Sequence, residues 1–284
     1  MRGAPRPGSG SARGAASQGG SKRPDWCPRL VALDIDGTLV DHDGVMPDEV
    51  HAAVRQAVEA QVPVVLATGR AWHGTQPVFD LLGLPAGPSV SSNGAVIVSY
   101  PPQEIVRAVT FDPSEVIAKV AQLAPGTLIA VEEIGRGYRL SGHFPDGDLN
   151  GELVIEDAAQ LSARPVTRVI LRDPHGSDED FLRLAEHLGL HGVTYFVGWS
   201  AWLDIAPDGV NKATALADIA AALGIGAGDV LAIGDGRNDT EMLSWAGRGV
   251  AMGDAPPEVQ QVADAVTGTF ADGGSVAELR RWFG

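Results

Sequence analysis

Nowhere in the 284 residues does an apolar run approach the roughly 20 needed to span a bilayer. The start of the chain also lacks the charged-then-apolar order of a secretory leader. The expectation is a cytoplasmic protein with no membrane partner. Cysteine is nearly absent: Cys27 stands alone, which excludes an intrachain disulfide and any metal site built from thiolates. Positive charge is scarce as well. The formal net charge is −15, and Arg2, Arg6, Arg13, Lys22 and Arg23 fall in a leading stretch without a single acid, so the remainder is more acidic still. Such a body repels nucleic-acid phosphates and anionic lipids, so neither is an expected partner. An anionic small substrate would have to be held by local devices, namely a divalent cation, a lysine and backbone N–H groups.

What is present is apolar content of 44% in a chain long enough for one large or two modest cores. Residues 1–24 are rich in Gly, Ser, Ala, Arg and Pro without apolar periodicity, which predicts a disordered extension. Leu30 to Leu33 then reads as a short buried strand, and a helix opens at Pro47 with Val50, Val54 and Val58 on one face. A second strand over 62–67 and a helix over 71–82 follow. Asn93-Gly94, between Ser89–Ser92 and Ala95–Val98, is a hairpin signal. From about 100 to 202 the pattern changes to short strand-like pieces near 105–110, 128–132, 138–141, 166–171 and 193–197. Two helices lie among them, one opening at Asp112 and one near Ser177 with Phe181, Leu184, Ala185 and Leu188 on a face. A helix over 211–223, a strand over 229–233 and further short elements complete the chain. Alternating strands and helices interrupted by such a segment predict an α/β fold: a doubly wound, Rossmann-like parallel sheet carrying an inserted α+β domain.

Four short stretches carry the chemistry. Asp34 and Asp36 end the first strand and, two residues apart on an extended chain, point the same way. Crowded carboxylates repel, and a bound Mg²⁺ or one proton relieves that. A strand-end Asp serves as metal ligand, acid/base or nucleophile. Thr68-Gly69-Arg70, at a strand end that opens a helix, presents a hydroxyl and N–H groups to an anion. Lys212 sits in the first turn of a helix, where it opposes the dipole. Gly234-Asp235-Gly236-Arg237-Asn238-Asp239 follows an apolar strand and offers oxygen ligands to a hard cation. Gly224-Ile-Gly226-Ala-Gly228 precedes a strand, so it fails as a dinucleotide fingerprint.

In order and spacing these four stretches resemble the motifs of the haloacid dehalogenase superfamily. Asp-x-Asp-Gly-Thr-Leu from Asp34, the Thr-Gly-Arg form, the Asn-Gly hairpin and Gly-Asp-Gly-x-Asn-Asp look like the Cof-type phosphatases with a type IIB cap. The resemblance implies a Mg²⁺-dependent phosphomonoester hydrolase acting on a small phosphorylated metabolite, a sugar or cofactor phosphate. It implies Asp34 as nucleophile and Asp36 as acid/base. Asp34, Asp235 and the carbonyl of Asp36 would hold Mg²⁺, with Asp239 orienting that shell. Thr68, Gly69, Lys212 and Asn238 would bind phosphate, and Arg70 would stabilise the adjoining loop. Core segments of 25–98 and 204–284 would flank a cap over 99–203, whose Arg136, Tyr138, Arg139, His143, Trp199 and Trp202 are candidates for specificity. A monomer or homodimer is expected. A phosphosugar mutase and a non-catalytic phospho-ligand-binding regulator are the alternative functions on the same fold.

Overall fold

The computed structural model describes residues 26–284 apart from 178, 180–182, 185–186, 189–192 and 198–201. The expected extension over 1–24, Trp199, and Phe181 and Ala185 of the expected second cap helix therefore lie outside the described residues.

Strand β1 (Leu30–Leu33) is wholly buried because its neighbours cover both faces. Its alternating side chains enter two different cores, Val31 and Leu33 in one and Leu30 and Ala32 in the other. The first core is closed by α1 (Asp48–Glu59), α2 (Trp72–Leu82) and, near the end of the chain, a helix at Gly274–Phe283. Helices at Lys212–Ala222, Thr240–Trp245 and Pro257–Val262 close the second. Helices on both faces of one sheet make the doubly wound arrangement. β1 pairs in parallel with β2 (Val64–Leu66) on one side and with a strand at Val230–Gly234 on the other. Strands at Arg248–Ala251 and Ala265–Val266 extend the sheet to five, all parallel.

The Asn-Gly signal forms the turn of a three-stranded antiparallel sheet: β3 (Gly87–Ser91), β4 (Val96–Tyr100) and β5 (Glu104–Ala108). Asn93 and Gly94 both take positive φ, at 52° and 99°. A Cβ on Gly94 would lie 2.1 Å from the carbonyl oxygen of Asn211, so the hairpin tip presses on the loop that delivers Lys212.

The middle of the chain builds a six-stranded sheet from β6 (Leu128–Glu133), β7 (Gly137–Leu140), β8 (Glu152–Ile155), β9 (Val169–Arg172), β10 (Val193–Val197) and β11 (Trp202–Pro207), in the order β10-β11-β9-β6-β7-β8. Sequence periodicity did not reveal β8 or β11. All four residues of β8 are exposed at the sheet edge, so no alternation marks it. β11 runs through residues 203 and 204, where the sequence reading drew the end of the insertion. Helices α3 (Ser114–Leu123) and α4 (Ala158–Leu161) cover one face through Val116, Ile117, Val120 and Leu161. The other face, carrying Ala130, Tyr138, Ile170 and Trp202, meets Ala71 at the start of α2. In chain order the later helices are α5 (Lys212–Ala222), α6 (Thr240–Trp245), α7 (Pro257–Val262) and α8 (Gly274–Phe283), and the later strands β12 (Val230–Gly234), β13 (Arg248–Ala251) and β14 (Ala265–Val266). No described helix is long and apolar enough to cross a membrane.

Candidate active site

Parallel pairing puts Leu33 beside Ile233, so Asp34 and Asp235 leave the same edge of the sheet from adjacent strands. Lys212 is brought there by α5, whose first turn is fixed by Asn211. The Asn211 side chain accepts from the Thr214 N–H at 3.0 Å, while the Asn211 N–H donates to the Thr214 hydroxyl at 3.2 Å. The Lys212 side chain is wholly buried, and its ammonium donates to Asp34 Oδ1 at 2.7 Å and to Asp239 Oδ1 at 2.6 Å. Two carboxylates thus offset a cation that burial and the helix dipole both disfavour. The second oxygen of Asp239 accepts the N–H groups of Asp235 at 3.1 Å and Gly236 at 2.9 Å, so both its oxygens are engaged.

Burial pushes the Asp34 carboxyl up to about 7, with the charge of Asp239 adding to the rise and Lys212 opposing it. Asp235 rises to about 9, first from burial, then from Asp34 and Asp239. The cluster therefore holds more negative charge than its one lysine balances, a demand that a proton or a hard cation meets. Ligand oxygens of Asp34, Asp235 and Asp239 lie within 4.8 Å of one another. Because Asp239 is already committed, Asp34 and Asp235 are the carboxylates with capacity left. The Asp235 and Asp239 carboxylates leave room only for glycine where the backbone passes them. A Cβ on Gly37, at φ +71°, would come 2.3 Å from Asp235 Oδ2, and one on Gly234 would come 2.4 Å from Asp239 Cγ. Buried hard oxygen donors, uncompensated charge and this close cradle fit a divalent cation such as Mg²⁺.

Asp36 is half-turned to solvent, and Arg70 clasps its carboxylate, Nε donating to Oδ2 at 2.9 Å and Nη2 to Oδ1. Thr68 is fully buried; its hydroxyl accepts the Arg70 N–H at 3.1 Å. Gly69, Asn93 and Asn238 meet beside it, with the Asn238 amide donating to Asn93 Oδ1 at 2.9 Å. All four stretches thus converge, and Asp34, Asp36, Gly69, Asp235 and Asn238 line one cavity of about 540 Å³.

Cap candidates divide. Tyr138 and Trp202 line this cavity. Arg136 lies elsewhere, exposed against Glu152 at 3.9 Å, and His143 is exposed without lining it. Arg139 is buried in ion pairs with Glu133 at 2.7 Å and Glu156 at 3.0 Å. Residues that the sequence reading passed over stand there instead. Arg168 and Asp204 face the cavity as an almost buried pair, and Asn93 and Asn150 join them in its lining. Charged residues interrupting apolar strands, Arg168 before Val-Ile-Leu and Asp204 between Leu203 and Ile205, were the available signal.

Residues 31–279 match the haloacid dehalogenase-like hydrolase family. An HMP-PP phosphatase of Serratia proteamaculans is 30% identical, covering 82% of this chain and 87% of its own. A phosphoglycolate phosphatase of Natronomonas pharaonis is 31% identical over 86% and 93%. The solved HAD subclass IIB sugar phosphatase BT4131 superposes with a TM-score of 0.75 over 89% of this chain and 98% of its own, at 21% identity, a likeness of fold. With the parallel core, the second sheet over its edge and the family match spanning nearly every described residue, the chain belongs to the haloacid dehalogenase-like hydrolases.

Proposed function

We propose that the protein is a Mg²⁺-dependent phosphatase that hydrolyses the monoester of a small phosphorylated metabolite. The observation that carries this reading is the Lys212 ammonium joining Asp34 to Asp239 beside Asp235, at the ends of two adjacent parallel strands under one cavity. Phosphatase names among relatives 30% and 31% identical over most of the chain support it.

In this reading Asp34 attacks phosphorus, forming an aspartyl-phosphate as the bond to the leaving oxygen breaks, and Asp36 gives that oxygen its proton. Water then attacks the same phosphorus and passes a proton to Asp36, which releases inorganic phosphate and restores Asp34. Arg70 holds the Asp36 carboxylate over the cavity between these transfers. Lys212, the Thr68 hydroxyl, Gly69 and Asn238 balance charge on the phosphoryl oxygens. Asp34, Asp235 and the Asp36 carbonyl would hold Mg²⁺, which neutralises charge between nucleophile and phosphate dianion. Asp239 orients the shell through the N–H groups of Asp235 and Gly236. Residues 99–203 act as the cap that admits and selects substrate. The bond from Ser92 to Glu132 at 2.8 Å supports this, since it draws that segment down on the core.

Asp34→Asn keeps the size of the side chain and removes the nucleophile. With Mg²⁺ and a generic aryl phosphate, turnover is expected to fall by roughly 10³-fold or more while the circular dichroism spectrum is retained. Turnover within a few-fold of wild type would refute the assignment.

A further inference from the structure

The strongest unassigned feature is the pair that roofs the cavity. Arg168 Nε donates to Asp204 Oδ1 and Arg168 Nη2 to Asp204 Oδ2, both at 2.9 Å. Trp202 Nε1 adds a bond to Oδ1 at 3.2 Å and Asn93 Nδ2 one to Oδ2 at 3.3 Å. Arg168 is 6% exposed and Asp204 7%, so the pair is set firmly in the wall. The parallel fork of a guanidinium is the group that binds a carboxylate or phosphate with two bonds. Here the protein fills that fork with its own carboxylate. Nη1 remains, with a marginal contact of 3.5 Å to the Tyr138 hydroxyl.

The other guanidinium and ammonium groups offer no substitute. Among the described residues lining the cavity, Arg70 faces Asp36 and Arg237, at the solvent rim, faces Glu258. Lys212, beneath the floor, is committed to Asp34 and Asp239. A second anionic group on the substrate would meet a roof without a free fork, with Asp43 and Asp148 also in the lining. Losing water there without gaining a partner is costly, and like charges brought together add to the cost. A neutral leaving group meets suitable partners instead: the Tyr138 hydroxyl, Nη1 of Arg168 and the face of Trp202, which suit hydroxyls and flat rings.

We propose that Asp204, by occupying the fork of Arg168, makes this pocket select phosphomonoesters whose leaving alcohol carries no second anionic group. The inference rests on the phosphatase reading above. It separates this chain from the substrate in the name of its Natronomonas pharaonis relative, because phosphoglycolate carries a carboxylate.

A matched pair of substrates tests it. 2-Hydroxyethyl phosphate and 2-phosphoglycolate differ only in whether the far carbon is a hydroxymethyl or a carboxylate group. With wild-type protein and Mg²⁺, kcat/KM is expected to favour the neutral ester by about tenfold or more. Asp204→Asn opens the fork while keeping the side chain's shape, and should move that ratio towards phosphoglycolate by about tenfold. The ratio is the readout, so a loss of rate common to both substrates cancels, and the wild-type comparison stands even where the variant does not fold. A wild-type preference for phosphoglycolate, with aryl phosphate still turned over, would overturn the inference alone. An unchanged ratio in folded Asp204→Asn would do the same. Failure of wild type to hydrolyse the pair and an aryl phosphate would overturn the phosphatase reading with it.

Discussion

At the scale of single residues, the site depends on atoms that are missing as much as on those present. Gly37 adopts φ +71° and has no side chain where Asp235 Oδ2 would stand 2.3 Å from a Cβ. Gly37→Ala therefore strains a left-handed backbone and pushes a carboxylate aside. Mg²⁺ affinity by calorimetry is expected to fall by about tenfold or more, the usual scale for disturbing the support of a metal ligand. Unaltered affinity would show that the cradle does not set the position of Asp235. Both the glycine and the carboxylates it spaces were legible in the sequence. The commitment of Asp239 Oδ1 was not, because Lys212 lies 27 residues away and reaches it only in the folded chain.

At the scale of elements, the first turn of α2 carries the contact between core and cap. His73 sets its ring edge-on to Tyr138, with centroids 5.4 Å apart. Burial, acting against the pull of neighbouring Asn150, lowers its pKa below the ordinary 6.5. The unfolded chain then binds a proton that the folded chain resists. The contribution to stability is complete above pH 6.5 and declines as pH falls through that value towards the lower folded pKa. Melting temperature should drop over this window more steeply in wild type than in His73→Gln, and parallel curves would refute the assignment. The cap strands show what period two decides. Trp202 and Asp204 point to the cavity and Leu203 and Ile205 to the helices, while Arg168 and Ile170 share the cavity side. Tyr138 and Trp202 were legible as aromatic candidates. Arg136 and His143 were equally plausible in composition, but their positions leave them exposed outside the cavity.

At the scale of the molecule, three carboxylates are gathered against one lysine inside a folded core, a cluster that the unfolded chain disperses. A cation that binds only the folded state stabilises it by mass action. Mg²⁺ at about 100 times its Kd should add about 2.7 kcal/mol, read as a rise in Tm by calorimetry. Asp235→Asn should abolish most of that rise. An equal rise in the variant would place the cation elsewhere.

The sequence by itself determined the order of elements in the parallel core and the identity of the motif residues. Continuous apolar runs mark the strands of the parallel core and a period of 3.6 its helices, and Asp34, Thr68, Lys212 and Asp235 stand at element ends recognisable from local composition. Only the tertiary structure decided which cap residues meet those four. The pair Arg168 and Asp204 is separated by 36 positions, and Asn93 lies 111 positions from Asp204. Such pairing is set by strand order, β11 beside β9 and both above the Asn93 turn, which no local pattern encodes. The floor of the pocket was therefore written in motifs, while its roof came from packing.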